Sequence, residues 1–247
     1  MGAEPEIAVV AAALADRSRA TMCLAMMDGC AWRAGDLADR AGIAPSTASE
    51  HLAQLIEARL VSVTPSGRNR YFTLAGPAVA DLVEDMAGLA PPGAIRSLRE
   101  ERSRAALEMG RTCYDHLAGR LGVGLTDALV HRGVLDADDL HLTDRADPFL
   151  RSLGIDLEFP RGRRVSTRPC LDWTERRPHL GGWTGAALAA WLFEQGWVVR
   201  VGSARAVRPT PSGMASMHQR FGLDPDECRL AVPTPVRPRP AGILVEL

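Results

Sequence analysis

Apolar positions recur at helical spacing from the start of the chain. Ile7, Val10, Ala11, Leu14 and Ala15 mark one helix, and Ala20 to Met27 a second that ends near Asp28-Gly29. Residues 35–42 read as a short helix closed by glycine. Ile43-Ala44-Pro45-Ser46 reads as a turn, with Ser46 as N-cap of the next helix. That helix runs to about Ala58 and turns Ala48, Leu52, Leu55 and Ile56 inward. The period then switches to two. Leu60 to Thr64 and Arg70 to Leu74 alternate as strands around Pro65-Ser66-Gly67. A helix from Pro77 to Leu89 follows, and Ala90-Pro91-Pro92-Gly93 punctuates the end of a unit over residues 1–90.

Residues 94–121 are expected to form one long linking helix. It is charged in its first half (Arg96, Arg99, Glu100, Glu101, Arg102, Arg104) and mixed polar and aromatic from Arg111 to His116. Residues 122–224 hold an internal near-repeat. Ala128 to Gly133, an extended stretch, Leu142-Thr143 and a helix ending Leu153-Gly154-Ile155 form one copy. Trp191 to Gly196, a hairpin over residues 197–208, Thr210 and a helix ending Phe221-Gly222-Leu223 form the other. Each copy has the order helix, hairpin, helix. The fold class is therefore mainly α with short β-hairpins: an N-terminal winged helix-turn-helix and a C-terminal domain of two winged-helix-like halves. Residues 225–247 read as a proline-rich tail.

In a winged helix-turn-helix the third helix enters the major groove and the hairpin reaches phosphates or the minor groove. The outward face of that helix presents Ser46, Thr47, Glu50 and Gln54, flanked by Ser49 and His51. Short hydroxyls and a glutamine suit phosphates and base edges. The wing carries Arg68-Asn69-Arg70.

Ala13-Leu14-Ala15-Asp16-Arg17-Ser18-Arg19, Asp36-Leu37-Ala38, the string Ser46-x-x-Ser49-x-His51-Leu52 and the wing Gly67-Arg68-x-Arg70-Tyr71-Phe72 together resemble the ArsR/SmtB repressors over about the first ninety residues. The resemblance implies a homodimer built on the first and last helices of this domain, a double-stranded DNA operator met by Ser46, Thr47, Ser49 and His51, and backbone contacts from Arg68 and Arg70. The chain departs from the family at Pro45, where glutamine is frequent, and at Glu50, where arginine is. Arg33 and Gly35 stand where the family has a metal-binding Cys-x-Cys, and the helix over residues 77–89 has no histidine. Metal sensing at either familiar site is not expected.

Charge tempers this picture. All 29 basic residues are arginine, set against 30 acidic ones. Without lysine there is no Schiff base and no phosphate-loop lysine. The first ninety residues hold seven arginines and eleven acids, so DNA affinity must rest on a few concentrated arginines.

A repressor of this type needs only about a hundred residues, so the remainder asks for a purpose. Two clusters stand out: Arg111, Cys113, Tyr114 and His116, and Cys170, Asp172, Trp173, Arg176 and His179. Three chemistries fit them. A pocket for a small organic effector, walled by Trp173 and Tyr114, is preferred. A zinc or other transition-metal site would use Cys113, His116, Cys170 and His179, although Cys-x2-His and Cys-x8-His are not a recognised zinc spacing. A thiol switch at Cys113 or Cys170 is the third. Alternatively Cys113 is a small buried hydrophobe, Asp172 an N-terminal cap or the partner of Arg176, and the tryptophans plain core. Haem fits poorly, because the usual Cys-Pro order is reversed in Pro169-Cys170.

The five cysteines are widely spread and odd in number, which suits a reduced, cytoplasmic protein. No apolar run reaches eighteen residues, so no membrane span is expected. An enzyme built on Cys113, Asp115 and His116 is not expected, since neighbours on one helix point different ways and no oxyanion loop is evident. The expectation is a dimeric DNA-binding repressor, released by a signal in the C-terminal domain. Its rival is a protein-interaction module of tandem winged helices.

Overall fold

The computed structural model describes residues 4–91, 93–94, 97–155, 165–202 and 205–224. The expected proline-rich tail lies outside them. Two compact units divide the chain between Val83 and Glu84.

The first unit opens with α1 (Ile7–Ala15) and α2 (Arg17–Met26). The break between them is Asp16, whose Oδ1 accepts from the backbone N–H groups of Ser18 and Arg19 at 2.9 Å each. Then come β1 (Trp32–Arg33), α3 (Ala34–Ala41), α4 (Pro45–Glu57), β2 (Val61–Ser66), β3 (Asn69–Leu74) and α5 (Pro77–Leu89). Gly42, at φ 68°, closes α3 in the left-handed conformation that glycine adopts freely. The three strands form an antiparallel sheet in the order β1-β3-β2. Ser66 pairs with Asn69, so the wing tip is the two-residue turn Gly67-Arg68. Met22, Met26, Leu37, Leu52, Leu55 and Phe72 are buried in this unit. One local expectation is corrected: Ala44 is the N-cap of α4, with no side-chain bond, and Pro45 occupies the first turn. Proline's fixed φ suits the first helical position, so the helix starts one residue before Ser46, which lies inside the first turn.

The linking helix expected over residues 94–121 does not form as one piece. α6 (Leu98–Met109) ends at Gly110, and β4 (Arg111–Cys113), β5 (His116–Ala118) and α7 (Gly119–His131) follow. Gly110 is extended, at φ −166° and ψ 139°. Its carbonyl accepts from the N–H of Val207 at 2.7 Å, and Thr112 N–H donates to the carbonyl of Arg205 at 2.9 Å. Strand pairing with a distant segment thus wins over local helix propensity. Beyond lie α8 (Ala146–Ser152), β6 (Arg168–Leu171), β7 (Pro178–Gly181), α9 (Gly182–Glu194), β8 (Val198–Arg200), β9 (Val207–Pro209) and α10 (Pro211–Phe221).

The near-repeat is present and is longer than the apolar pattern suggested. The order helix, pairing, helix appears as α7, the single bridge Leu135–Leu142 and α8, and again as α9, the β8–β9 hairpin and α10. Each copy is preceded by its own hairpin, β4–β5 or β6–β7. The helices cross over: α7 packs on β7 of the other copy, and α9 on β5. Gly122 and Gly185 hold equivalent places. A Cβ on Gly122 would meet the Leu117 carbonyl oxygen at 2.4 Å, and one on Gly185 that of Leu180 at 2.2 Å. Only glycine lets each helix lie this close to its hairpin.

Candidate DNA interface and candidate metal centre

In the first unit, α4 buries Ala48, Leu52 and Leu55 and leaves Ser46, Ser49, Glu50 and Gln54 exposed, with Thr47 and His51 half-buried. Two of the expected DNA contacts are already engaged. Gln54 Oε1 accepts from Arg19 Nη1 at 2.6 Å. His51 places Nδ1 at 3.3 Å from the same guanidinium nitrogen and Nε2 at 3.6 Å from Asp16 Oδ1. Both therefore fix α4 to the start of α2, and the remaining polar face is Ser46, Thr47, Glu50 and Ser49, whose hydroxyl donates to the carbonyl of Pro45 at 3.0 Å. Arg68 and Arg70 are exposed on the wing, and the Arg70 guanidinium lies 5.5 Å from the Phe72 ring centre. Sequence reasoning missed Arg33. The β1–β3 pairing sets it opposite Tyr71, whose hydroxyl oxygen accepts from Arg33 Nη2 at 3.2 Å. Arg33, Arg68 and Arg70 line one groove of about 580 Å³ between α3, α4 and the wing.

In the second unit, Cys113 faces His116 across the β4–β5 hairpin, and Cys170 faces His179 across β6–β7. Hairpin register, not helical spacing, brings each pair together. The two pairs then meet. Cys113 Sγ and Cys170 Sγ are 3.9 Å apart, and His116 Nε2 and His179 Nε2 are 3.2 Å apart. One ligand atom from each of the four lies within 4.8 Å of the others, and all four residues are buried. Each histidine turns its other nitrogen toward a carboxylate. His116 Nδ1 is 3.3 Å from Asp115 Oδ1; His179 Nδ1 is 3.2 Å from Asp172 Oδ2, off the line of a good hydrogen bond.

The electrostatics are those of coupled groups. The hydrogen bond to Cys170 and burial push the Cys113 thiol up, while that same bond and the two histidines pull Cys170 down, so the pair holds one proton more tightly than the other. Burial works to lower His116, but Asp115 and Cys170 outweigh it and raise it to about 9.

Arg111, Asp172 and Trp173 join in one buried charge network. Arg111 is fully buried and gives Nη2 to Glu84 Oε1 at 2.9 Å and to Asp172 Oδ1 at 3.0 Å. Trp173 covers its guanidinium, 4.7 Å from the ring centre. Arg205 Nη1 holds the other oxygen of Glu84 at 3.1 Å. Asp172 also accepts from the N–H groups of Thr174 and Glu175 at 2.9 and 3.1 Å, so it holds the turn between β6 and β7 rather than capping a helix, and its ion-pair partner is Arg111, not Arg176. Arg176 donates to the carbonyl of Gly88 at 2.6 Å. Tyr114 sits at the first hairpin's turn with φ 63°. The seam between α7 and α9 holds a cavity of only about 10 Å³, lined by Leu117, Leu180, Leu125 and Leu188. That is barely room for a single water.

Comparison with known proteins places these features. Residues 32–63 match the family described as bacterial regulatory protein, arsR family. The chain is 41% identical over 222 residues to YdfF of Bacillus subtilis (strain 168), an uncharacterized HTH-type transcriptional regulator, covering 89% of this chain and 98% of that one. Among solved structures, the cadmium metal-sensor CMTR from Mycobacterium tuberculosis is 30% identical, with 36% of this chain and 99% of that chain covered and a TM-score of 0.28. Reduced HlyU from Vibrio cholerae N16961 is 24% identical, with 35% and 90% covered and a TM-score of 0.32.

Proposed function

The chain belongs to the arsR family of HTH-type transcriptional regulators, DNA-binding proteins, and from that premise we propose a homodimeric repressor whose grip on its operator is set by the second unit. The observation that carries the reading is the groove where Arg33, Arg68 and Arg70, with Asp36 and Asp39 on the α3 side, gather beside Ser49 of α4. In a unit whose acids outnumber its arginines, this is where phosphate charge can be met. Ser46, Thr47 and Ser49 reach sugar and phosphate or base edges, and Glu50 accepts from a cytosine amino group. α5 is the natural carrier of the signal, because its residues up to Val83 belong to the first unit and Glu84 opens the second. The small organic effector has little support. The cavity between α7 and α9 is too small for it, and the arginine expected to bind it is engaged with Glu84 and Asp172.

A gel-shift titration against the gene's own promoter region tests the reading. A sequence-specific shift is expected that weakens as salt rises. Arg68→Ala and Arg70→Ala should weaken binding on all sequences alike and each flatten the salt dependence by about one unit of slope. Absence of a specific shift at low salt overturns the proposal.

A further inference from the structure

The repeat extends upstream into the chemistry of the second unit. His116 and His179 are 63 residues apart, the same offset as Gly119 and Gly182, or Gly122 and Gly185. Cys113 and Cys170 are 57 apart because the second hairpin has a longer turn. Each copy reads Arg-x-Cys-x-Asp, then His-Leu-x-Gly-x-x-Gly, so each half contributes one thiol, one imidazole and one aspartate.

We propose that Cys113, His116, Cys170 and His179 bind one zinc ion in a closed tetrahedral site that joins the two halves of the second unit. Zinc–sulfur bonds of about 2.3 Å and zinc–nitrogen bonds of about 2.0–2.1 Å, at tetrahedral angles, require a sulfur–sulfur edge of about 3.8 Å and a nitrogen–nitrogen edge of about 3.3 Å. The edges found are 3.9 and 3.2 Å. A disulfide would need the sulfurs at about 2.05 Å.

Hydrogen-bond accounting points the same way. A neutral imidazole that donates from Nδ1 has only a lone pair at Nε2. In the neutral state in which imidazoles ligate a metal, with both Nδ1 atoms facing carboxylates, two lone pairs confront each other at 3.2 Å, an arrangement a cation between them relieves. Carboxylates placed behind histidine ligands in this way orient them and strengthen their donor nitrogens. Charge also balances: zinc displaces the thiol protons to solvent, and two thiolates neutralise the divalent ion. A neutral centre suits a site where all four side chains are buried. Mixed sulfur and nitrogen donors exclude calcium and magnesium, and four protein ligands leave no open position for a reacting water.

Cobalt tests this in the full chain, kept reduced and stripped with a chelator. Adding Co²⁺ alone should give the intense visible absorption of tetrahedral cobalt and a thiolate charge-transfer band, both saturating at about one ion per chain and erased by Zn²⁺. Cys113→Ser and Cys170→Ser should each cut the charge-transfer band by about half or more. Should these variants misfold, a mercurial thiol reagent on the zinc-loaded wild type should release one zinc per chain. The proposal fails if natively folded wild type, judged by circular dichroism, gives no spectrum or the weak one of six-coordinate cobalt. It fails equally if both serine variants leave the spectrum unchanged, or if a Cys113–Cys170 disulfide is recovered under reducing conditions. Cobalt uptake supports the site whether or not the protein shifts DNA, so the two proposals stand or fall separately.

Discussion

The two copies in the second unit donate the same ligands but support them unequally. In the first copy the turn between the cysteine and the histidine is Tyr114-Asp115, and the Asp115 side chain keeps 28% of its surface exposed. In the second copy six more residues lie between Asp172 and His179, and Asp172 is wholly buried. Those residues fold back to cap it, and Asp172 Oδ2 also accepts from the N–H of Gly119 at the head of the other copy's helix, at 2.6 Å. The arginine two places before each cysteine differs too: Arg111 is buried against two acids, whereas Arg168 is half-buried. The repeat supplies two equivalent half-sites, and the longer turn makes one of them the hub of a buried charge network reaching Glu84 on α5. Equal coordination therefore does not mean equal consequence.

The largest expected effect lies at the far end of that network. Glu84→Gln leaves the charges of Arg111 and Arg205 buried with half their compensation, and should cost about 3–5 kcal/mol in chemical denaturation. A loss under about 1 kcal/mol would show that the network is not what distinguishes the second copy. Next, Asp172→Asn should weaken zinc binding by about 10- to 100-fold, measured by chelator competition. Asp115→Asn, whose carboxylate faces water, should fall at or below the low end of that range. Equal losses from the two would erase the comparison.

The smallest effect is in pH. Burial works to raise Glu84, but Arg205 and Arg111 outweigh it; for Asp172, His179 and Arg111 do the same, and both carboxyls sit below their ordinary values. The stability they add is complete above the unfolded values of 4.5 and 3.8 and is lost as pH falls through the lower folded ones. Thermal melting followed downward from neutral pH should show this acid loss, and Glu84→Gln should blunt it.

The first unit was the more legible because its signals are local: helical spacing in α4, alternation in the strands, and glycine closing α3. What escaped notice was tertiary. Ser46 has the residue type of a cap, but Pro45 already opens the helix and places Ser46 inside the first turn. Arg33 gained meaning only from β1 pairing with β3. In the second unit, Arg111 to His116 satisfies helical spacing, which sets Cys113 and His116 three apart within the expected linking helix. In fact they are neighbours across a hairpin whose existence depends on Val207 and Arg205, nearly a hundred residues away. The repeat was visible from Ala128 onward. Its continuation into the cysteines was hidden by the longer second turn, which breaks the common offset between Cys113 and Cys170. The buried partner of Arg111 is Glu84, on a helix assigned to the other domain, so a network appeared as a pocket.

The crossing of α7 onto β7 and of α9 onto β5 has one more consequence. Either copy alone offers a thiolate and an imidazole, a two-toothed grip that leaves half of the coordination sphere to water or to another molecule. Carrying both copies on one polypeptide turns what would be a bridge between chains into an internal bridge, at the high effective concentration that a covalent link provides. Occupancy then becomes a conjunction. The ion stays only while both copies are folded against each other, and local opening of either one empties the site.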